Sequence, residues 1–321
     1  MKQYLTVPVL GAVLFVLTLS SLVIGVKSIP IDQLGHLSES QLHILLSSRL
    51  PRTISLIVAG AGLSICGLLM QQLTQNRFVS PTTAGTMEWA KLGIVLTLIF
   101  FQGASLIVQL AFAILFTILG TLFFILILKA ITFQDQAFIP LIGLLLGQVV
   151  GAFTLFLGSW FQVLQSVTSW LQGNFALVTS HRYELLFLAV PCLIAIYIFS
   201  YHFTIVGLGE TFAHNLGIAY QRVILFGLIL VAIVTATIVI IVGSIPFLGL
   251  IVPNVIRLSK GDYLASHLGL TALLGAVTLM FCDLVGRLII FPYDIPIGLT
   301  LGVLGSLFFL RLMTQSEVSR G

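Results

Sequence analysis

Long apolar runs, each close to the length of a membrane crossing and separated by short polar breaks, occupy the chain from end to end. Within them apolar residues follow one another without strict alternation, which predicts helices rather than barrel strands. A bilayer core about 30 Å thick needs roughly 20 apolar residues per helix. Lipid admits only helices and closed barrels, because unpaired backbone groups are too costly there. Ten spans follow, at about residues 6–26, 53–74, 84–101, 104–128, 138–158, 184–204, 221–242, 247–259, 268–288 and 296–313. The eighth is short and holds Pro253, which predicts a tilted or broken helix. The semi-polar stretch Trp160–Ser180, with two tryptophans, reads as interfacial or re-entrant rather than as a crossing. The predicted fold is all-α, a polytopic membrane protein of about ten transmembrane helices forming one domain over 1–321.

Composition narrows the function. Of 321 residues 59% are hydrophobic and 7% charged, where a soluble domain carries about a quarter charged. The mean hydropathy is +1.17. A soluble enzyme and a disordered chain are excluded. The net charge of +4 rests on 14 scattered basic residues, without the basic run that nucleic acid requires. Contact with membrane lipid and the positive-inside bias account for the excess. With both termini cytoplasmic, Lys2, Arg77, Lys129, Arg222, Arg257, Lys260, Arg311 and Arg320 lie inside, and Lys27, Arg49, Arg52, Arg182 and Arg287 outside. The run Val7–Val26 is read as a retained first span rather than a signal peptide. Cys66, Cys192 and Cys282 lie far apart in apolar stretches and read as small buried hydrophobes.

No HExxH, GxSxG or GxxxxGK[ST] pattern is present, and the six histidines lack metal-ligand spacing. No catalytic residue, metal or cofactor is expected, so active transport would draw on a gradient or on another chain. Arg49 and Arg52 flank Leu50-Pro51 before the second span, with Pro51 setting the start of that helix. They either anchor to headgroups or dock an acidic patch on an extracellular partner. Gly60, Gly62, Ser64 and Gly67 allow close helix approach. Glu88 and Lys91, three apart on a helical face, form an ion pair or line a transport path. Gly207–Gly217 is a glycine-punctuated loop with room for two short helices on the cytoplasmic face; a plain connector fits its composition equally well. Pro246, Pro253, Gly243 and Gly249 break regular helix near the membrane. Asp283 and Arg287, four apart, predict a helical pair at the outer end of the ninth span.

In order along the chain stand RLPR, the glycine-rich second span, QxLTxNxxxxP, GxIPFxGLIVPNxxRL, DLxxR and IPIGxxxxxxGxxFF. This series, from about residue 47 to 312, resembles the FecCD-type permease family, the membrane subunits of type II ABC importers for iron-siderophores, vitamin B12 and haem. The resemblance implies a ten-helix permease working with a second permease subunit, as homodimer or paralogous heterodimer. It also implies two cytoplasmic ATPase subunits and an extracellular or lipid-anchored substrate-binding protein. By that similarity Arg49, Arg52 and Arg287 receive acidic residues of the binding protein. Gly209, Glu210, Leu216 and Gly217 match the segment seated in the ATPase cleft. Many relatives carry a small-residue run where this chain has Met87-Glu88-Trp89-Ala90-Lys91. That variant, preceded by SPTTAG, resembles the ferric-siderophore branch, catecholate types included, more than the B12 branch. A permease for vitamin B12 or haem is the alternative within the family. A gradient-driven secondary transporter, motivated by Glu88, Lys91 and Asp283, is the rival outside it.

Overall fold

The computed structural model describes residues 5–25, 38–130, 138–165, 173–178, 182–261 and 264–318. In chain order, α1 (Val7–Val23) and the short α2 (Glu39–Ile44) lead through a π-helical turn at Leu45–Arg49 into α3 (Leu50–Leu73). Then come α4 (Thr86–Phe100), α5 (Leu106–Ala130) and α6 (Phe138–Trp160). The sixth predicted span is a bent pair, α7 (Ala189–Ile198) and α8 (Ser200–Val206), followed by the short α9 (Glu210–Asn215). α10 (Tyr220–Val242), α11 (Leu248–Lys260), α12 (Leu264–Ile289) and α13 (Ile297–Val318) complete the chain.

Every predicted span is therefore helical, yet not all are full crossings. Five continuous helices have the length and apolarity to cross a membrane, and Tyr183–Ile198, a 3-10 turn running into α7, makes a sixth with α8, bent by 63°, among the described residues. α11 has 13 residues, about 20 Å at 1.5 Å per residue, which is short of a bilayer. Pro253 does not break it. The irregular geometry lies just before it, at Gly243–Phe247, where Phe247 takes φ 63° as the N-cap. Nor does the second span start at Pro51. Helix runs from Glu39 to Leu73, opened by a capping box at Ser38 and Gln41. The wider π-helical turn falls directly before the proline, which has no N–H and crowds the preceding turn.

The core forms around α3 and α10, whose side chains are buried on nearly every face in their central turns. α3 crosses α12 at Gly60, where a Cβ would lie 2.7 Å from the Gly275 carbonyl oxygen. It crosses α11 at Gly67, where a Cβ would overlap the Gly249 carbonyl oxygen. Pro253 deprives that same carbonyl of its helical N–H donor, so the oxygen is free to meet the Gly67 Cα. On α6, Gly143, Gly147 and Gly151 form a stripe against Thr83–Glu88, while Leu145, Val149, Phe153 and Phe156 face outward. Of Trp160–Ser180, residues 166–172, 179 and 180 lie outside the described residues. Gly173–Val178 returns inward, with Phe175 and Val178 buried and the Asn174 N–H donating to the Val242 carbonyl at 2.9 Å.

Candidate docking, coupling and translocation sites

Three helix ends meet at the N-terminal end of α3. Asp283, 1% exposed, accepts from Arg52 through Oδ1, at 3.2 Å from Nε and 2.7 Å from Nη2. Its Oδ2 accepts from Arg287 Nη2. Arg287 Nη1 also donates to the carbonyls of Ser21 and Ile24 at 3.2 Å, and its Nη2 to Ser21 Oγ at 3.2 Å. Arg49 Nη1 donates to the carbonyls of Leu22 and Val23, the latter at 2.9 Å. Two guanidiniums thus satisfy the open carbonyls at the C-terminus of α1, where the helix dipole also favours a cation. Arg52 Nη1 reaches outward, to Asp294 Oδ2 at 2.7 Å. Arg49 and Arg287 are each 6% exposed.

The opposite end of α3 carries the second group. Its 24 residues place the two ends about 36 Å apart, the scale of a membrane. There Gln72 packs against Gly207, at the root of α9. Gly209 (φ 110°) and Gly217 (φ 72°) bracket this helix in the left-handed region, which a side chain would resist. The loop holds one short helix, not the two that its length suggested. Gly217 ends it, and α10 begins at Tyr220, leaving no length for another. Phe212 within this helix, and Leu208 and Leu216 at its two flanks, are all exposed beside Glu210 and His214.

Between these ends, Lys91 is buried and bonded to Glu88 Oε1 at 2.7 Å. Glu88 itself is partly exposed and opens on a cavity of about 380 Å³. Thr82, Met87, Ser244, Pro246, Pro296, Gly298 and Leu299 complete its wall. The ion pair and the cavity lining are thus two sides of one carboxylate. Among the described residues no group of three His, Cys, Asp or Glu side chains gathers as a metal site. The three cysteines are unpaired, with Cys66 and Cys282 buried.

The structure thus brings Arg49, Arg52, Asp283 and Arg287 into one cluster, sets Gly209, Glu210, Leu216 and Gly217 together far from it, and places Glu88 and Lys91 in between. Sequence reasoning passed over Ser21, Asp294 and Phe212. Phe212 was findable, since Leu208, Phe212 and Leu216 recur at i, i+4 and i+8 in a polar loop. Asp294 had a weaker signal, an acid on a face assigned several arginines. Ser21 had none.

The fold and its sites are those of a helical membrane bundle with a cavity walled by helix ends and an exposed helix at one pole, and the family to which the chain belongs makes that bundle a transport permease. The sequence pattern of the FecCD transport family matches residues 13–315, and the chain belongs to that family. It is 47% identical over 304 residues to the petrobactin import system permease protein YclN of Bacillus subtilis, covering 95% of this chain and 96% of that one. It is 38% identical over 301 residues to the ferric-anguibactin transport system permease protein FatD of Vibrio anguillarum, with 94% and 96% covered. Its fold is similar to a solved inward-facing chain described as a metal-chelate type ABC transporter. The TM-score there is 0.81, with 26% identity, 96% of this chain and 98% of that chain covered.

Proposed function

We propose that this chain is the permease subunit of an ATP-binding cassette importer that carries a ferric siderophore across the cytoplasmic membrane. Support for the cargo comes from relatives named for petrobactin and anguibactin. The observation that carries the ATP-driven reading is α9, a short exposed helix held between two left-handed glycines at one pole of the bundle, with Phe212 exposed on it and Leu208 and Leu216 exposed at its flanks. In this reading α9 sits in a cleft of a cytoplasmic ATPase subunit, two of which serve a pair of permeases, identical or paralogous. Both termini lie on that side, and the Arg49–Arg52–Arg287 pole faces outward to a substrate-binding protein. Lys2, Lys27 and Arg320, used in assigning that orientation, fall outside the described residues, as do the side chains of Lys129 and Arg311. α6 forms a gate at the interface between permeases. The Glu88 cavity belongs to the path. A bulky chelate needs a passage of weak contacts, and nucleotide and binding protein bias two packings of the bundle differently.

Radio-iron uptake with ferric petrobactin as probe tests this in vesicles with and without the ATPase subunit. Uptake should require both the subunit and ATP, and uptake sustained by a proton gradient alone would establish the secondary-transporter reading instead. Within the assembled importer, Gly217→Val is expected to lower transport by on the order of tenfold, the size of a modest coupling energy. Glu210→Ala should act in the same direction. ATPase activity stimulated by the binding protein is the readout, and normal stimulation in both variants would remove α9 from the coupling path.

A further inference from the structure

The docking arginines are not equally available to a partner. Arg49 and Arg287 are almost fully buried and spend donors on the carbonyls that end α1. Both oxygens of Asp283 are engaged, one by Arg52 and one by Arg287. Arg52 Nη1 is different, because its acceptor is a carboxylate at the surface, Asp294, whose side chain is 30% exposed. Asp294 lies on the short segment joining α12 to α13, where Ile290, Phe291 and Tyr293 are exposed. The Ile295 N–H ties the far end of that segment to the Gly286 carbonyl at 3.2 Å. Two residues beyond Asp294, Pro296 begins the wall of the Glu88 cavity, which Gly298 and Leu299 continue.

We propose that Asp294 holds, in the undocked protein, the place on Arg52 that a carboxylate of the binding protein takes on docking. The exchange releases residues 290–296 and so loosens the start of α13 at the cavity wall. This rests on the docking reading above and adds to it a single point of contact and a route inward. Swapping one carboxylate for another on the same nitrogen leaves Arg52 paired throughout, so the step avoids the large penalty of stranding a charge. What the partner's acid gains, Asp294 loses, and the two ends of the segment are thereby coupled.

The test titrates the cognate binding protein onto the complete importer in nanodiscs. Asp294→Asn should tighten binding about threefold, the worth of a partly exposed ion pair. Arg52→Gln should weaken it by about tenfold, as expected for losing a charge-assisted contact. In the Arg52→Gln background Asp294→Asn should have no further effect, because the two residues act through one bond. If Asp294→Asn tightens binding equally in both backgrounds, removal of a negative charge acts at long range and the exchange is overturned. Loss of affinity in Arg52→Gln with no gain in Asp294→Asn also overturns the exchange while leaving docking at Arg52 in place. Unchanged affinity in Arg52→Gln overturns docking itself. A spin label at Tyr293→Cys gives an independent reading. Its mobility should rise on adding binding protein to the otherwise wild-type chain, and be high from the start with Asp294→Asn; a label indifferent to both counts against release.

Discussion

Asp283→Ala is expected to destabilise the bundle by about 3–5 kcal/mol, the loss seen when one member of a buried ion pair is removed. The buried carboxylate binds Arg52 and Arg287 at once, and without it two guanidiniums share one site with no buried acid between them. The loss spreads beyond α12, because Arg287 also closes the end of α1 and Arg52 lies on α3. Three helices are thus joined through one residue. Asp283→Asn keeps the shape and an acceptor oxygen, and should recover part of the loss. Thermal unfolding of the purified permease in detergent reads both variants. Equal stability of Asp283→Ala and the parent would mean that the cluster contributes nothing to holding the helix ends together.

Gly67→Ala is expected to impair assembly of the bundle, by about 3 kcal/mol, the upper part of the usual range for overpacking. The added methyl would overlap the backbone carbonyl of Gly249, which cannot swing aside as a side chain can. A neighbouring position supplies the contrast. At Gly62 a Cβ would meet side-chain methyl groups, of Ile238 and Val234 at 3.2 Å and of Leu193 at 3.9 Å, so Gly62→Ala should cost far less. Yield of monodisperse protein and its unfolding temperature compare the two. Similar behaviour of both variants would remove the α3–α11 crossing as a point of tight packing.

The small-residue stripe was visible in the sequence, but not which glycine meets backbone and which meets side chain. Spacing assigns residues to a face of α3; it does not say that α11 arrives opposite Gly67 with a carbonyl freed by Pro253. Pro253 shows the same limit. Its helix-breaking tendency is local, and here the missing hydrogen bond is offset by a partner helix and the break moves upstream to Gly243–Phe247. Pro51 likewise marked a helix start that the preceding π-helical turn absorbs. At the outer pole, Asp283 and Arg287 are four apart and legible as a pair. Arg52 lies 231 positions from Asp283 and 242 from Asp294, and no periodicity reaches so far.

The chain alone was enough to establish a helical membrane protein, the ten apolar segments and the order of motifs that resembles the FecCD-type permeases. Those features follow from local hydrophobicity and short spacings, which water and lipid read residue by residue. Folding alone decided which segments are too short to cross and that α9 is a single short helix with Phe212 exposed. It also decided that Glu88 turns one oxygen to Lys91 and its remaining surface to a cavity, and that two of three arginines are committed to the end of α1. Each of these is a meeting of groups remote in sequence, and their energies come from packing and charge pairing that exist only once the helices are assembled.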